Sequence, residues 1–255
     1  MAEKLPVEST RKTFDIIEEL VKEGELSVQE ITEKLDAPKT TVHGHLRSLE
    51  QLGYVINDGQ KYQTSTRFIA LGELTRNRME LFNVAKHKID DLANATGEQA
   101  SIVIEERFKA VTLYTSKGEK AIELEPFAGQ WFPMHTIAAG KAILAHFPDE
   151  EKEKYIETHG LEQRTENTYT DREALYEEFD RIVEQGYATD AEEHKEGLSG
   201  IAVPILDGET VKGAINLFGP SSRMRVDEFE KNNSLGQELF QISNIVEVNL
   251  GYMYG

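Results

Sequence analysis

The sequence predicts an α+β protein: an N-terminal winged helix-turn-helix domain, a helical linker and a mixed α/β domain, in that order. Three observations predict it. A helix, a proline-marked turn, a second helix and a two-strand hairpin fit between Leu26 and Thr64. Runs rich in β-branched and aromatic residues then recur between Gln99 and Phe218, set among helical patterns. An apolar helical pattern, Val226–Leu250, closes the chain.

Each element has a local cause. Glu8 to about Glu23 is an amphipathic helix, with Phe14, Ile17, Leu20 and Val21 expected in the core. Ser27 caps the next helix, and Glu30 three residues on completes a capping box. Asp36-Ala37-Pro38 stops that helix and starts another, since proline suits the first helical position and nothing deeper. This helix, Pro38 to about Gln51, buries Val42, Leu46 and Leu49. Gly53–Ile56 and Lys61–Thr64 flank Asn57-Asp58-Gly59, a two-strand turn signal. Ser65-Thr66 can cap a helix carrying Phe68, Leu71 and Leu74.

A longer helical pattern runs through Leu81 and Ile89 to Gly97. Strands are expected at Gln99–Ile104, Ala110–Tyr114 and Ala121–Pro126, and helices at Ala138–Phe147, Glu150–Thr158 and Arg172–Gln185, the last capped by Asp171. Gly200–Leu206 and Val211–Phe218 pair across Asp207-Gly208-Glu209. The resulting division is a DNA-binding domain at 1–66, a linker helix at 67–77 and a second domain at 78–255.

Composition narrows the function. With 255 residues the chain can bury two cores. Cysteine is absent, so disulfides and thiolate metal sites are excluded and a cytoplasmic location fits. No apolar run reaches the roughly 18–20 residues of a membrane span, so no membrane partner is expected. Acidic residues number 46 against 28 basic, a net charge of −18. Residues 1–64 hold 12 acidic and 8 basic residues, and the remainder 34 and 20. Within 37–68 the balance reverses, with Lys39, Arg47, Lys61 and Arg67 against Glu50 and Asp58. So acidic a surface fits a halophile's protein, working where salt screens charge over a few ångströms.

The second helix of the turn motif is the expected DNA reader. With Val42 facing inward, its opposite face carries Thr40, Thr41, Gly44, Arg47 and Ser48, with His43 on the shoulder and Lys39 at the start. Hydroxyls, an imidazole and a guanidinium suit base edges and phosphates of double-stranded DNA. Lys61 in the wing is placed for phosphate. Gly44 either lets the helix approach the groove closely, with His45 or Arg47 supplying the contact, or is neutral. His43 and His45 diverge around the helix and hold no metal.

Ala138-Ala139-Gly140 begins a helix whose small residues leave its first N–H groups open to an anionic ligand. Catalytic signatures are missing. There is no Gly-x-Ser-x-Gly, P-loop, GxGxxG or HExxH, so neither catalytic residues nor a cofactor are expected. Asp190, Glu192, Glu193 and His194 read as solvated charge, with His135 and His194 the nearest approach to metal ligands.

Four separated blocks carry a resemblance. They are Ala37–His43 with Leu49–Tyr54; Met134–Ala145; Gly186–Glu193; and Gly197–Pro204 followed by Gly219-Pro220. In these the chain resembles the IclR-type transcription regulators along almost its whole length. The resemblance implies a GAF-like second domain that binds a small effector, and a homodimer or dimer of dimers. It also implies an effector site at Ala138, Ala139, Gly140, Asp190, Gly200, Ile201 and Ala202. The family commonly has cysteine where Gly200 stands here, and the glycine leaves room for a bulkier ligand, such as a sugar acid or an aromatic acid, rather than a two- or three-carbon acid. Trp131 either lines that cavity or fills core. The functional expectation is a regulator of metabolic genes that binds a DNA operator and senses an organic or sugar acid. The alternative is a winged-helix protein-interaction module with a small-molecule domain, which would not need the basic cluster.

Overall fold

The computed structural model describes residues 5–122, 127–226, 229 and 234–254. Its contacts divide into two compact units, Met1–Arg78 and Met79–Gly255.

The first unit holds α1 (Glu8–Glu23), β1 (Glu25–Leu26), α2 (Val28–Leu35), α3 (Lys39–Gln51), β2 (Val55–Asn57), β3 (Tyr62–Thr64) and α4 (Arg67–Arg76). The capping box forms: Ser27 Oγ accepts the Glu30 N–H at 3.3 Å, and Glu30 Oε2 accepts the Ser27 N–H at 2.7 Å. Asp36 ends α2 in the left-handed region at φ 45°, and Pro38 turns the chain into α3. In the wing, Asn57 Oδ1 accepts the Gly59 N–H while Asp58 Oδ1 accepts those of Gln60 and Lys61. β1 is an addition to the expected elements, two residues paired with β3.

The core of this unit joins Ile16, Ile17 and Leu20 of α1 to Ile31, Val42, Leu46, Leu49, Val55 and Tyr62. Two α1 residues expected there are elsewhere: Phe14 and Val21 are exposed. Seven residues apart, they form a second apolar stripe beside the one that packs.

In the second unit, α5 (Glu80–Thr96) leads to β4 (Gln99–Glu106), β5 (Lys109–Lys117) and β6 (Trp131–Pro133). After α6 (Ala138–Ala145), α7 (Asp149–His159) and α8 (Arg172–Gln185) come β7 (Ala188–Ala191), β8 (Leu198–Asp207) and β9 (Thr210–Pro220). α9 (Ser221–Met224) and α10 (Ser234–Tyr254) end the chain. The strands form one antiparallel sheet in the order β6-β5-β4-β9-β8-β7.

Three expectations change here. Of the strand expected at Ala121–Pro126, residues 121 and 122 belong to no strand, and 123–126 lie outside the described residues. β6 and β7 are strands that the sequence pattern does not announce. The closing helix is described over Ser234–Tyr254 and runs past its expected end at Leu250; of its expected first part, Val226 and Phe229 are buried in the core and residues 227, 228 and 230–233 lie outside the described residues.

Helices cover both faces of the sheet. On one face α5 and α10 pack on Ile102, Ile201, Val203, Ile205, Ile215 and Leu217. On the other, α6 and α8 pack on Val103, Ala110, Ala202 and Ala214. Small residues bring α6 close. A Cβ at Gly140 would sit 2.2 Å from the Met134 carbonyl oxygen, a distance only glycine allows.

Candidate functional site

On α3 the inward positions Val42, Leu46 and Leu49 turn the opposite side outward. Lys39, Thr40, His43, Gly44, Arg47 and Ser48 are exposed and Thr41 is half-buried. Lys39 and Arg47 make no side-chain hydrogen bond or ion pair among the described residues, and a Cβ at Gly44 would meet nothing within 4 Å. Ser48 Oγ donates to the Gly44 carbonyl at 2.9 Å.

Three other polar residues are engaged inside the unit. His45 Nδ1 lies 2.8 Å from Thr13 Oγ1, so this half-buried ring ties α3 to α1 through one nitrogen. Lys61 Nζ pairs with Glu25 at 3.1 Å. Arg67 donates to the Leu52 carbonyl at 2.9 Å and lies 4.7 Å over the Tyr54 ring. The basic cluster therefore splits, with Lys39 and Arg47 outward and the other two tied to the fold.

A cavity of about 260 Å³ opens on the α6 side of the sheet. Its floor is Ser101 and Val103 of β4, Thr112 of β5, Gly200 of β8, and Asn216 and Phe218 of β9. Phe132, Ile137, Ala138, Asp190, His194 and Lys195 stand around it. α6 has no side-chain cap, and its Ile137–Ala138 start borders the cavity. The first N–H to bond within the helix is that of Lys141, to the Ile137 carbonyl at 3.0 Å. Such an end attracts anions through its donors and dipole.

Asp190 is buried in β7, and its Oδ1 accepts the Glu193 N–H at 2.7 Å. Burial, reinforced by the neighbouring Glu193 charge, pushes its carboxyl up to about 7. Behind it Lys141, fully buried in α6, reaches Glu193 at 2.6 Å and Glu178 at 3.2 Å. Burial pulls against the ammonium charge, and these two carboxylates more than offset it. His194 is T-shaped on Phe132, with Nδ1 2.9 Å from Thr136 Oγ1. Burial lowers its pKa, as do the charges of Arg164 and Lys195.

The structure thus brings together Ala138, Asp190 and Gly200, and leaves out four residues expected with them. Ala139 and Gly140 turn away around α6 into the packing beneath it, by about 100° per residue. Ile201 points to the opposite sheet face, and Ala202 packs under α6. At Gly200 a Cβ would meet Phe218 Cβ at 3.3 Å, so any side chain there takes space from the cavity. The residues missed in the sequence are Ser101, Thr112, Asn216 and Phe218, which only strand register collects. Trp131 lies outside this cavity. Among the described residues no group of three His, Asp or Glu side chains could hold a metal ion.

Comparison with known proteins agrees with both units. A family profile described as "Bacterial transcriptional regulator IclR C-terminal" matches residues 74–244, and one described as "IclR helix-turn-helix domain" matches 9–59. "Probable HTH-type transcriptional regulator ArcR" of Halobacterium salinarum is 30% identical over 249 residues, covering 96% of this chain and 94% of that protein. The crystal structure of Thermotoga maritima IclR superposes with a TM-score of 0.81 at 26% identity, over 96% of this chain and 99% of the other. An IclR homolog of Microbacterium hydrocarbonoxydans complexed with 4-hydroxybenzoate shares the fold, with TM-score 0.77 at 19% identity over 94% and 99% of the two chains. The chain belongs to the IclR family, DNA-binding transcription regulators whose second domain takes a metabolite effector.

Proposed function

We propose that this regulator senses a small organic or sugar acid in the cavity beside α6 and controls metabolic genes from a double-stranded DNA operator. The observation that carries the reading is the shared cavity: the uncapped start of α6 and the buried Asp190 border the same space of about 260 Å³. The helix end takes the carboxylate, and Asp190, Ser101, Thr112 and Asn216 hydrogen-bond the rest. The homolog bound to 4-hydroxybenzoate also holds an acid.

Lys39, Thr40, Thr41, His43, Gly44, Arg47 and Ser48 read the groove. Lys61 exchanges its exposed pair with Glu25, an interaction worth at most about 1 kcal/mol, for a phosphate. Exposed Phe14 and Val21 on α1, and Ile69 and Leu74 on α4, supply an apolar surface for a second copy, supporting a homodimer or dimer of dimers. Effector occupancy shifts the populations of these assemblies, so DNA and effector affinities are reciprocally linked. The protein acts in the cytoplasm by binding rather than catalysis. Its net charge of −18 fits work at high salt, the habitat implied by the Halobacterium relative. No helix among the described residues is long and apolar enough to cross a membrane.

The test is a titration of the purified protein against its own upstream region, at low and molar salt, with a panel of carboxylic and sugar acids. Specific binding shifted by one acid is the expected result. Saturable acid binding without specific DNA binding at any salt overturns the operator assignment.

A further inference from the structure

A second cavity, of about 290 Å³, lies at the β5–β6 edge of the same unit. The turn between β4 and β5 builds one wall. Arg107 and Phe108 both adopt positive φ, 55° and 59°, and Glu105 Oε1 accepts the Phe108 N–H at 2.6 Å. That conformation, rare for residues with side chains, turns the Phe108 ring toward α7. Its centroid lies 6.3 Å from Tyr155 and 6.0 Å from His159, and His159 stacks on Tyr155 at 5.6 Å. Trp131 of β6 also lines the cavity.

The back of this cavity has no hydrogen-bonding capacity to spare. His135 Nε2 lies 3.1 Å from the Glu162 carbonyl, so it carries the proton; Nδ1 then accepts the Tyr155 hydroxyl at 2.6 Å. What remains open is ring surface, the His159 imidazole and cations. Lys109 Nζ lies 4.4 Å over Trp131 and makes no ion pair among the described residues. Arg164 gives one nitrogen to Glu162 at 3.1 Å and is otherwise exposed. Lys154 sits 5.6 Å over Phe108. Two cations, Lys109 and Arg164, thus line the cavity against Glu162, with Lys154 on Phe108 beside it, in a chain whose net charge is −18.

Aromatic side chains beside cations that keep donors free select a flat aromatic body with one negative group. We propose that this second cavity binds a small aromatic carboxylate, its ring against Trp131 and Phe108 and its carboxylate on Lys109 and Arg164. The site is separate from the cavity at α6: Phe132 lines both, and Trp131 lines only this one.

Trp131 is the sole tryptophan, so the protein carries its own reporter. Titration of the full-length protein with benzoate should change its fluorescence saturably, whereas acetate and benzyl alcohol, each lacking half of the recognition, should not. Lys109→Ala and Arg164→Ala, both at accessible positions, should each weaken benzoate about tenfold, the scale of one charge-assisted hydrogen bond. Asp190→Asn, in the other cavity, should leave it unchanged. No saturable response, an equal response to acetate, or weakening by Asp190→Asn but not by Arg164→Ala overturns the proposal. Benzoate held in the α6 cavity would instead be weakened by Asp190→Asn and not by Arg164→Ala, so the two sites are told apart.

Discussion

The two faces of the six-stranded sheet are packed by opposite means. Under α5 and α10 the strands present Ile, Val and Leu, which pack into one buried apolar cluster. Under α6 they present Ala202, Ala214 and Ala110, and five of the helix's own eight residues are Ala or Gly. Small residues bring α6 against the sheet at one end and leave a hollow beyond its start. The first face supplies stability by apolar burial. The second gives up part of that burial for a cavity and an internal ion cluster, Lys141 with Glu178 and Glu193.

The sharpest way to break this contrast is to remove the buried ammonium. Lys141→Ala leaves buried Glu193 with no cation and Glu178 with only Arg181, 2.7 Å away, and urea unfolding should show a loss of about 3–5 kcal/mol. Ile89→Ala on the α5 face leaves only a void, with an expected loss of about 2–5 kcal/mol. The two are separable by pH. Acidification should shrink the Lys141→Ala defect, because protonation neutralises the stranded carboxylates, and should leave the Ile89→Ala defect unchanged. Equal pH dependence would mean that Lys141 matters only as volume.

Asp190 tests the same face without a cavity. Its folded carboxyl titrates near 7, above the ordinary value of 3.8, so the folded state holds this proton more tightly than the unfolded chain. Stability from the protonated form is complete below the unfolded value and is lost as pH rises from about 4 to about 7. The effect should be a few kcal/mol by urea unfolding across that range. Asp190→Asn should flatten this slope and be the more stable protein above pH 7, while losing its response to the effector. A wild-type slope that survives in Asp190→Asn would assign the titration to another group.

Much of this was legible in local chemistry. Ser27 and Asp171 announce helix starts that form as expected, with Asp171 Oδ1 accepting the Ala174 N–H at 2.9 Å. The turn after Asp207 likewise joins the longest pair of strands. The short edge strands were not legible. β7 reads Ala-Thr-Asp-Ala, with little strand preference of its own, and exists because β8 pairs with it. The cavity was half legible for a related reason. Neighbouring residues in a motif do not share a face, so Gly200 lines the space while Ile201 cannot. Ser101 and Asn216, 115 positions apart, meet only through the β4–β9 register.

The reading helix offers a further comparison, since its polar groups are exposed where those of the cavity are buried. Arg47→Ala should cost about 1–3 kcal/mol of operator affinity if the guanidinium reads a base, and leave folding unchanged. A uniform loss across specific and random DNA, with a shallower salt dependence, would make it a phosphate contact instead.

The smallest effect asks why α3 carries a glycine at its exposed centre. Nothing lies within 4 Å of where a Cβ would go at Gly44, so the folded chain itself does not require glycine. Alanine should therefore raise stability by about 0.5–1 kcal/mol, the backbone entropy that glycine costs inside a helix. The informative quantity is the operator affinity of the same variant. If Gly44→Ala is more stable and binds DNA as before, the glycine is neutral and recognition rests on the flanking His43, Arg47 and Ser48. If it is more stable yet binds DNA more weakly, the missing methyl marks where the groove wall touches the helix. The stability gain guards the second result, because a variant that folds better cannot have lost affinity through unfolding.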